Sequence, residues 1–322
     1  MELCLCCLVF AVIPIYIIVQ LLRLLLADCD LTLQWATKFG KSPATLRGTV
    51  VWITGASSGI GEFLAYNLAS AGCRLVLSAR RESELERVKK RCLLSGPVKE
   101  EDILVLPLDL LKCDSHTEAA DEVLKYFGQI DILVNNAGRS QRGVWEKISI
   151  EVDRDMMELN VIGTLSITKA VLPHMIENKR GHIVVISSVA GKLGIPNSCS
   201  YSGSKFALHG YFESLRIEAF QHNIKVTMIC PGPVFSNVLT AAFTEKPGQA
   251  FGVAMNPNEK RMATDRCAYL TTVAMANSLD EVWISLQPVL LSFYVIQYFP
   301  TYGKILGCKL GMKAINKIRE GQ

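Results

Sequence analysis

The chain has 322 residues, half of them hydrophobic, and a formal net charge of +4. That length suits one large α/β core, and the small, scattered charge gives no reason to expect a nucleic-acid surface. None of the five histidines has the paired spacing of metal ligands, so we predict no metal site.

The first predicted element is an apolar helix. From Leu3 to Leu26 only Gln20 and Arg23 are polar, and the run is long enough to cross a hydrocarbon core of about 30 Å. A cleaved signal peptide is the alternative, but the run has no basic start and no small-x-small cleavage site. We therefore predict an uncleaved membrane anchor over residues 1–27, with membrane lipid as a partner, and a linker over 28–47.

Basic residues follow this run, and none precedes it. Lys38, Lys41 and Arg47 lie beyond its end, so the positive-inside rule predicts a cytosolic catalytic domain. The alternative is a lumenal domain. The chain has no Asn-x-Ser/Thr acceptor, and its eleven cysteines show no paired spacing outside the anchor, which is compatible with the cytosol.

The segment Thr49 to Glu62 reads as a strand, a glycine-rich turn and the start of a helix that continues through Ala71. Backbone N–H groups and the helix N-terminus then face an incoming phosphate. The spacing Gly-x-x-x-Gly-x-Gly differs from the Rossmann form but puts glycines at the same turn. A flexible loop is the alternative, and the flanking strand and helix disfavour it. The predicted phosphate-binding residues are Gly55, Ser57, Ser58, Gly59, Ile60 and Gly61.

The end of the second predicted strand, Arg74 to Arg81, bears on the choice of cofactor. An NAD site has an acidic residue about 20 residues past the glycines, whereas an NADP site has an arginine against the 2′-phosphate. Ala79 occupies the acidic position and Arg80 follows it. A guanidinium binds phosphate in a bidentate manner, so we predict NADP(H). The alternative is that Arg80 only begins a charged surface helix.

A hydroxyl, a phenol and an ammonium follow in the second half of the chain. Ser188 comes after a β-branched strand, His182 to Ile186, and Tyr201 and Lys205 stand four apart on the next predicted helix. An adjacent ammonium favours the phenolate, which makes Tyr201 a candidate acid or base, and Ser188 can hold a substrate oxygen beside it. Two such residues on a helix are more often a solvated face, so this interpretation depends on the glycine turn.

Two segments follow this helix. Residues 237–262 mix apolar side chains with glycine and proline, and we predict a mobile lid over the substrate. Beyond a predicted strand, Val282 to Ser285, residues 287–322 are first apolar and aromatic and then basic and amphipathic. This extension either lies on an anionic bilayer or packs on the core or on a second subunit.

Five motifs together resemble those of the short-chain dehydrogenases/reductases: Thr54–Gly61, Asn135–Gly138, Asn160, the set Ser188, Tyr201 and Lys205, and Pro231-Gly232. The resemblance covers roughly residues 48–285. It implies an α/β fold with a single doubly wound Rossmann domain over 48–286, built on a seven-stranded parallel sheet with helices on both faces. It also suggests the endoplasmic reticulum and a homodimer.

The same resemblance implies roles for single residues. Asn160 would hold a water that links Lys205 to solvent, and both Tyr201 and Lys205 would contact the cofactor. The other cofactor-binding residues that it implies are Asp109 at the adenine, Asn136, Ala137 and Gly138 on the adenine-ribose side, and Pro231, Gly232, Val234 and Ser236 at the nicotinamide. Ser236 stands where the family often has threonine, which keeps the hydroxyl.

These features predict an NADP(H)-dependent oxidoreductase that interconverts carbonyl and alcohol groups, with Tyr201 as acid or base. An apolar lid and two membrane-facing ends favour a lipophilic substrate such as a steroid, a retinoid or a hydrophobic carbonyl compound. A hydrolase with Ser188 as nucleophile is disfavoured, because the Gly-x-Ser-x-Gly elbow is missing. The other alternative is a membrane-bound scaffold that holds the nucleotide without turnover, and the intact set of Asn160, Ser188, Tyr201 and Lys205 favours the enzyme.

Overall fold

The computed structural model describes the backbone of residues 2–320 and the side chains of residues 12–315 and 317. One parallel sheet lies at its centre, in the strand order β3-β2-β1-β4-β5-β6-β7. The strands are β1 (Val50–Thr54), β2 (Arg74–Ser78), β3 (Ile103–Val105), β4 (Ile132–Asn135), β5 (Gly181–Ile186), β6 (Ile224–Pro231) and β7 (Glu281–Ile284). The predicted seven-stranded parallel sheet is confirmed.

The helices alternate with the strands along most of the chain. They are α1 (Glu2–Leu26), α2 (Leu31–Phe39), α3 (Gly59–Ser70), α4 (Glu82–Ser95), α5 (His116–Phe127), α6 (Ile150–Met157), α7 (Gly163–Glu177), α8 (Cys199–Ala219), α9 (Thr264–Asn277), α10 (Val289–Tyr298) and α11 (Pro300–Glu320). A π-helical segment, Glu158–Ile162, joins α6 to α7 without a break.

Both faces of the sheet are covered by helices, because successive strand side chains point to opposite sides. In β1, Val51 and Ile53 pack with residues of α3, α4 and α9, whereas Val50 and Trp52 pack with residues of α5, α7 and α8. All five β1 residues are buried. The β-branched, almost continuously apolar strands seen in the sequence are thus explained by burial on both faces.

The order of the strands reverses between β1 and β4. The chain builds outward from β1 to β2 and β3 and then crosses back to β4 on the other side of β1. Loops at the carboxyl ends of these two strands diverge, which opens a crevice where ligands bind in sheets of this type. The glycine turn after β1 and the Asn136–Arg139 loop after β4 meet at that crevice.

The residues expected to form a linker, 28–47, pack on the catalytic domain instead. Cys29 forms an antiparallel bridge with Ile284 of β7, and α2 buries Leu33 and Ala36. Asp30 fastens the segment, because its carboxylate accepts hydrogen bonds from two N–H groups at the start of α2 and from the Trp283 N–H at 2.7 Å. A short amphipathic helix beside an exposed strand edge has an apolar face to bury.

One helix among the described residues is long and apolar enough to span a membrane by length and composition, the continuous run Ile150–Glu177, and 44% of its apolar window is buried inside the protein. It carries the buried Asn160, so it is a core helix. In α1 the described side chains begin at Val12, and nearly every residue from Val12 to Leu26 is exposed around the helix. The rest of the predicted anchor lies outside the described side chains.

Candidate active site

The glycine turn after β1 has a backbone that side chains would obstruct. Gly55 and Gly59 have positive φ, +68° and +60°, and a Cβ on Gly61 would lie 2.4 Å from the Gly55 carbonyl oxygen. Ser58 caps α3, yet its side chain makes no capping hydrogen bond. The first N–H groups of α3 have no intrahelical partners and therefore face the crevice as donors for an anion.

The loop after β4 is tied to this turn. Asn136 donates from Nδ2 to the carbonyls of Thr54 at 2.9 Å and Gly55 at 3.1 Å. The Thr54 hydroxyl accepts from the N–H groups of Asn136 and Ala137 at 3.1 and 3.2 Å. Asn136 therefore shapes the crevice by holding the turn. The sequence interpretation gave Thr54 no role, although a hydroxyl at the last position of β1 is a signal for one.

Asn160 lies in the π-helical segment and is fully buried. Its Oδ1 accepts from the Arg139 N–H at 2.9 Å, and its Nδ2 donates to the Arg139 carbonyl at 3.0 Å and to the Ser204 hydroxyl at 3.0 Å. The wider π turn occurs often at functional sites, and here it carries a side chain that connects α8 to the loop after β4.

Lys205 is buried one helical turn after Tyr201, on the same face of α8. Its Nζ donates to the Ile186 carbonyl at 2.8 Å and lies 5.7 Å from the centroid of the Tyr201 ring. Burial lowers the pKa of Lys205 to about 8, because the charged ammonium loses its hydration. A Cβ added to Gly138 would lie 3.0 Å from Asn160 Oδ1 and 3.8 Å from Lys205 Nζ, so these groups surround one point.

Ser188 lies at the end of β5, beside the last residue of β6. Its hydroxyl donates to the Pro231 carbonyl at 3.4 Å and accepts from the Ala190 N–H at 3.2 Å. The next residue, Gly232, is packed so closely that a Cβ would lie 2.1 Å from Ser285 Oγ. The loop expected at the nicotinamide therefore begins directly next to the expected catalytic hydroxyl.

The segment predicted as a lid, 237–262, lies against two walls of the crevice. A Cβ on Gly59 would be 3.4 Å from the Cβ of Ser236, which leads into the segment. Phe243 exchanges backbone hydrogen bonds with Ser140 and Arg142, at 2.9 and 2.8 Å. The irregular segment thus spans from the glycine turn to the loop after β4; its mobility stays a prediction.

A cationic side of the crevice is formed by residues far apart in sequence. Arg80 is exposed at the end of β2 and makes no ion pair within the described part of the chain. Burial, and after it the charge of Arg80, lowers the pKa of Arg139, while Asp109 raises it. Arg80, Asp109 and Arg139 therefore share one electrostatic environment. The sequence interpretation missed Arg139, for which its place directly after Gly138 was the available signal.

A group of possible metal ligands lies outside the crevice. His209, Glu213 and Glu281 have ligand atoms within 4.8 Å of one another. Lys192, however, binds the Glu281 carboxylate at 2.7 Å. The Glu281 carboxylate is thus already neutralised by the Lys192 ammonium, so these three residues make a poor cation site. The other ring nitrogen of His209, Nε2, lies 3.0 Å from the Ser187 hydroxyl.

Val234 is buried and forms a bridge with Met262 at the end of the lid segment. The predicted residues come from the loops after six strands, β1 to β6, from the π-helical segment and from α8. Three features of the crevice fit a dinucleotide. They are the turn that requires glycine at positions 55, 59 and 61, the N–H groups at the start of α3, and the exposed arginine at the end of β2.

Comparisons with known proteins agree with this geometry. A family profile described as short chain dehydrogenase matches residues 49–247. The chain is 51% identical over 304 residues to mouse "Dehydrogenase/reductase SDR family member 7", covering 94% of this chain and 90% of the relative. For the human protein of the same name the identity is 51% over 307 residues, with 95% and 90% covered. The sequence around Leu31–Leu33, Leu106–Asp109 and Glu281–Ser285 also resembles that protein.

Two solved structures are similar to this chain in fold. An alcohol dehydrogenase from the archaeon Thermococcus sibiricus, complexed with 5-hydroxy-NADP, is 27% identical, with a TM-score of 0.64, and the match covers 74% of this chain and 96% of that one. A metagenomic short-chain oxidoreductase in complex with NADP is 28% identical, with a TM-score of 0.61 and coverage of 76% and 99%.

Proposed function

Because this chain belongs to the short-chain dehydrogenase/reductase family, we propose that it is an NADP(H)-dependent oxidoreductase that interconverts carbonyl and alcohol groups on lipophilic substrates. One observation carries the proposal. Lys205 is buried beside Tyr201, with its ammonium held by the Ile186 carbonyl, in the same crevice as the glycine turn. A scaffold that only held a nucleotide would not need a buried ammonium, which burial makes costly.

In the proposed mechanism, NADPH bound in the crevice would supply the hydride. Ser188 holds the substrate oxygen by a hydrogen bond from its hydroxyl, beside the Tyr201 phenol. Tyr201 donates its proton to that oxygen in reduction and accepts it in oxidation. The Lys205 ammonium stabilises the phenolate that results, and Asn160 holds a water through which the proton returns from solvent.

The preference for NADP(H) is supported by Arg80. This guanidinium is exposed at the end of β2, with no acidic partner among the described residues, and Ala79 replaces the acidic residue that an NAD site would have. Two structural relatives are described with NADP or a derivative of it. Arg139 adds a second positive charge to the same side of the crevice.

The lipophilic substrate is supported by the lid segment and by α1. The lid turns Phe243 toward Arg139, at 5.1 Å from the guanidinium to the ring centroid. We propose that α1 anchors the protein in the membrane of the endoplasmic reticulum and that a steroid, a retinoid or a hydrophobic carbonyl compound reaches the site from the lipid. Lys38, Lys41 and Arg47 favour a cytosolic catalytic domain. Protease protection of sealed microsomes distinguishes this orientation from a lumenal one.

A homodimer is also proposed. Phe206, Ile217 and Phe220 are exposed, and their spacing of 11 and 14 residues puts them on one side of α8 and of the 3₁₀ turn, Phe220–His222, that continues it. An apolar helix face of this kind pairs two copies about a two-fold axis. Light scattering on the purified protein measures whether the mass is that of two chains.

The enzyme proposal is tested with full-length protein in detergent, NADPH, and a panel of ketones and quinones. Tyr201→Phe removes the proton donor, and general acid catalysis contributes roughly 10²–10⁴-fold to rates. Tyr211→Phe is the matched control, because Tyr211 is an exposed tyrosine on the same helix. Equal turnover by Tyr201→Phe and Tyr211→Phe, or none by the wild type, would favour the scaffold.

A further inference from the structure

The part of α11 before Gly311, a residue with non-helical backbone angles, exposes its large apolar side chains and buries a glycine. On α11 the residue buried against α10 is Gly303, where a Cβ would lie only 2.6 Å from Ile296 Cγ1. Ile305, Leu306 and Leu310 of the same helix are about half exposed. A helix that folds against a core in water buries its large apolar side chains and exposes the small or polar ones.

The preceding helix continues the same surface. Leu290 and Phe293 of α10 are buried, and the Phe293 ring stacks on Trp283 at 5.3 Å. On the other side of α10 and at its end, Leu291, Tyr298 and Phe299 are exposed, and Tyr302 follows them. Tyrosine and phenylalanine in such numbers are typical of a membrane–water interface.

This surface lies next to the end of α1. Gln287, just before α10, donates from Nε2 to the Leu24 carbonyl at 2.6 Å. Leu24 packs in one apolar cluster with Phe293 and Tyr294, and the Tyr294 hydroxyl accepts from the Leu31 N–H at 3.0 Å. α10 therefore lies beside the C-terminal end of α1, where α1 joins the catalytic domain.

The charged residues from Val282 to Arg319 are all basic. Between Val282 and Arg319 the sequence has no aspartate or glutamate. The basic residues of this stretch are Lys304, Lys309, Lys313, Lys317 and Arg319. Lys304 and Lys309 are exposed among the exposed apolar side chains of α11. Basic side chains next to apolar ones fit the headgroups and the upper acyl chains of an anionic bilayer.

We propose that the exposed face of α10 and α11 lies on the surface of the anionic bilayer that α1 enters, so that the protein contacts its membrane at two adjacent places. This inference rests on the proposed anchor. A second copy of the chain is the competing occupant, but a surface that exposes Lys304, Lys309, Lys313 and Lys317, with no acidic side chain among the described residues, repels its own copy.

Cys308 is a native reporter for this surface, because it is exposed on α11. The test uses full-length protein in which Cys4, Cys6, Cys7, Cys113 and Cys199 are replaced by serine. The remaining thiols are buried and react poorly: burial raises the pKa of Cys73 to about 11, for example. A polarity-sensitive fluorophore is attached to Cys308, and the protein is reconstituted through α1 into vesicles of phosphatidylcholine, with or without phosphatidylserine.

We expect the emission to shift to the blue in phosphatidylserine vesicles and to be quenched by lipids that carry a quencher on the acyl chain. Lys304→Glu together with Lys309→Glu removes two basic residues, each worth about fivefold at an anionic surface, and adds two negative charges. The equilibrium constant for contact of this face with the bilayer should therefore fall by at least about 30-fold. Lys90→Glu with Arg91→Glu, a pair exposed on α4, is the matched control and should change nothing.

Emission that is the same in both kinds of vesicle, without quenching, overturns the proposal. Shielding of Cys308 that depends on protein concentration and ignores the lipid quencher assigns the surface to a second copy and overturns it as well. NADPH oxidation by the same vesicles is measured in parallel. Activity without lipid contact rejects only this inference, whereas lipid contact without activity rejects only the proposed enzyme.

Discussion

Asn160 holds the backbone of Arg139 at both polar groups, accepting from its N–H at 2.9 Å and donating to its carbonyl at 3.0 Å. The Arg139 side chain lies over the ring of Phe243, in the lid segment. One buried amide thus fixes the loop that forms a wall of the crevice and contacts the lid. The residue expected to serve the proton path also has a structural task.

Replacing Asn160 with aspartate should break the hydrogen bond between this side chain and the Arg139 carbonyl. The carboxylate cannot donate to the Arg139 carbonyl, and leaving a buried polar group unsatisfied costs about 1–3 kcal/mol. We expect a lower kcat, a lower free energy of unfolding and faster proteolysis within residues 237–262. Asn178→Asp, at the exposed end of α7, is the control. An Asn160→Asp protein with wild-type kcat and proteolysis rate contradicts this account.

Gly61→Ala should distort the glycine turn after β1. The new Cβ would lie 2.4 Å from the Gly55 carbonyl oxygen and 2.5 Å from Asn136 Nδ2, and overpacking of this kind costs about 1–3 kcal/mol. We expect a lower unfolding midpoint and a higher KM for NADPH. In contrast, Gly203→Ala on α8 meets no atom within 4 Å, and alanine there should raise stability by about 0.5–1 kcal/mol. Thermal unfolding of both variants makes the comparison, and equal shifts would show that the turn tolerates a side chain.

Arg80→Asp should weaken the preference for NADPH over NADH. Hydrogen bonds to charged groups contribute about 1.5–3 kcal/mol, so losing the guanidinium should raise the KM for NADPH roughly 10- to 100-fold. Adding Ala79→Asp puts a carboxylate at the position that an NAD site uses for the ribose 2′-hydroxyl, so the KM for NADH of the double variant should fall. Arg81→Asp, the neighbour at the start of α4, tests whether general surface charge accounts for the effect. If Arg80→Asp and Arg81→Asp both keep the NADPH preference, the assignment of Arg80 is wrong.

The value of kcat/KM should fall on the alkaline side of its pH profile because Lys205 loses its proton there. Its pKa is lowered to about 8 by burial, so the side chain is an ammonium below that pH and a neutral amine above it. Only the ammonium stabilises the Tyr201 phenolate, so kcat/KM for NADPH should fall as the pH rises through about 8. Lys205→Arg keeps its charge at these pH values and should not show this fall, whatever its absolute rate. A wild-type profile that is level up to pH 9 would contradict the role of Lys205.

The same lowered pKa has a consequence for stability. In the unfolded chain a lysine titrates near 10.5, above the folded value of about 8. Between these two values the unfolded state binds more protons, so this residue makes the free energy of unfolding rise with pH across that window. Comparison of wild type with Lys205→Met by denaturant unfolding at pH 7.5 and pH 10 isolates the contribution, which should be greater at the higher pH.

Features that depend on neighbours in the chain were predictable from the sequence. Tyr201 and Lys205 lie on one face of α8 because residues four apart in a helix share a face. The turn at Gly55–Gly61 was predicted because a strand, glycines and a helix follow one another there. The position of β5 was predicted to within one residue, His182–Ile186 against the observed Gly181–Ile186, because a run of β-branched residues buried on both faces is distinctive.

Only the tertiary structure decided how these local pieces meet. The sequence could not show that Asn136 faces back to Thr54, that Asn160 binds Arg139, or that Lys205 reaches the Ile186 carbonyl, because each contact joins segments brought together by the strand order. It also could not show which side of α11 is exposed. Backbone periodicity sets the spacing of side chains along one element, whereas the packing of that element on its neighbours sets which side chains are buried.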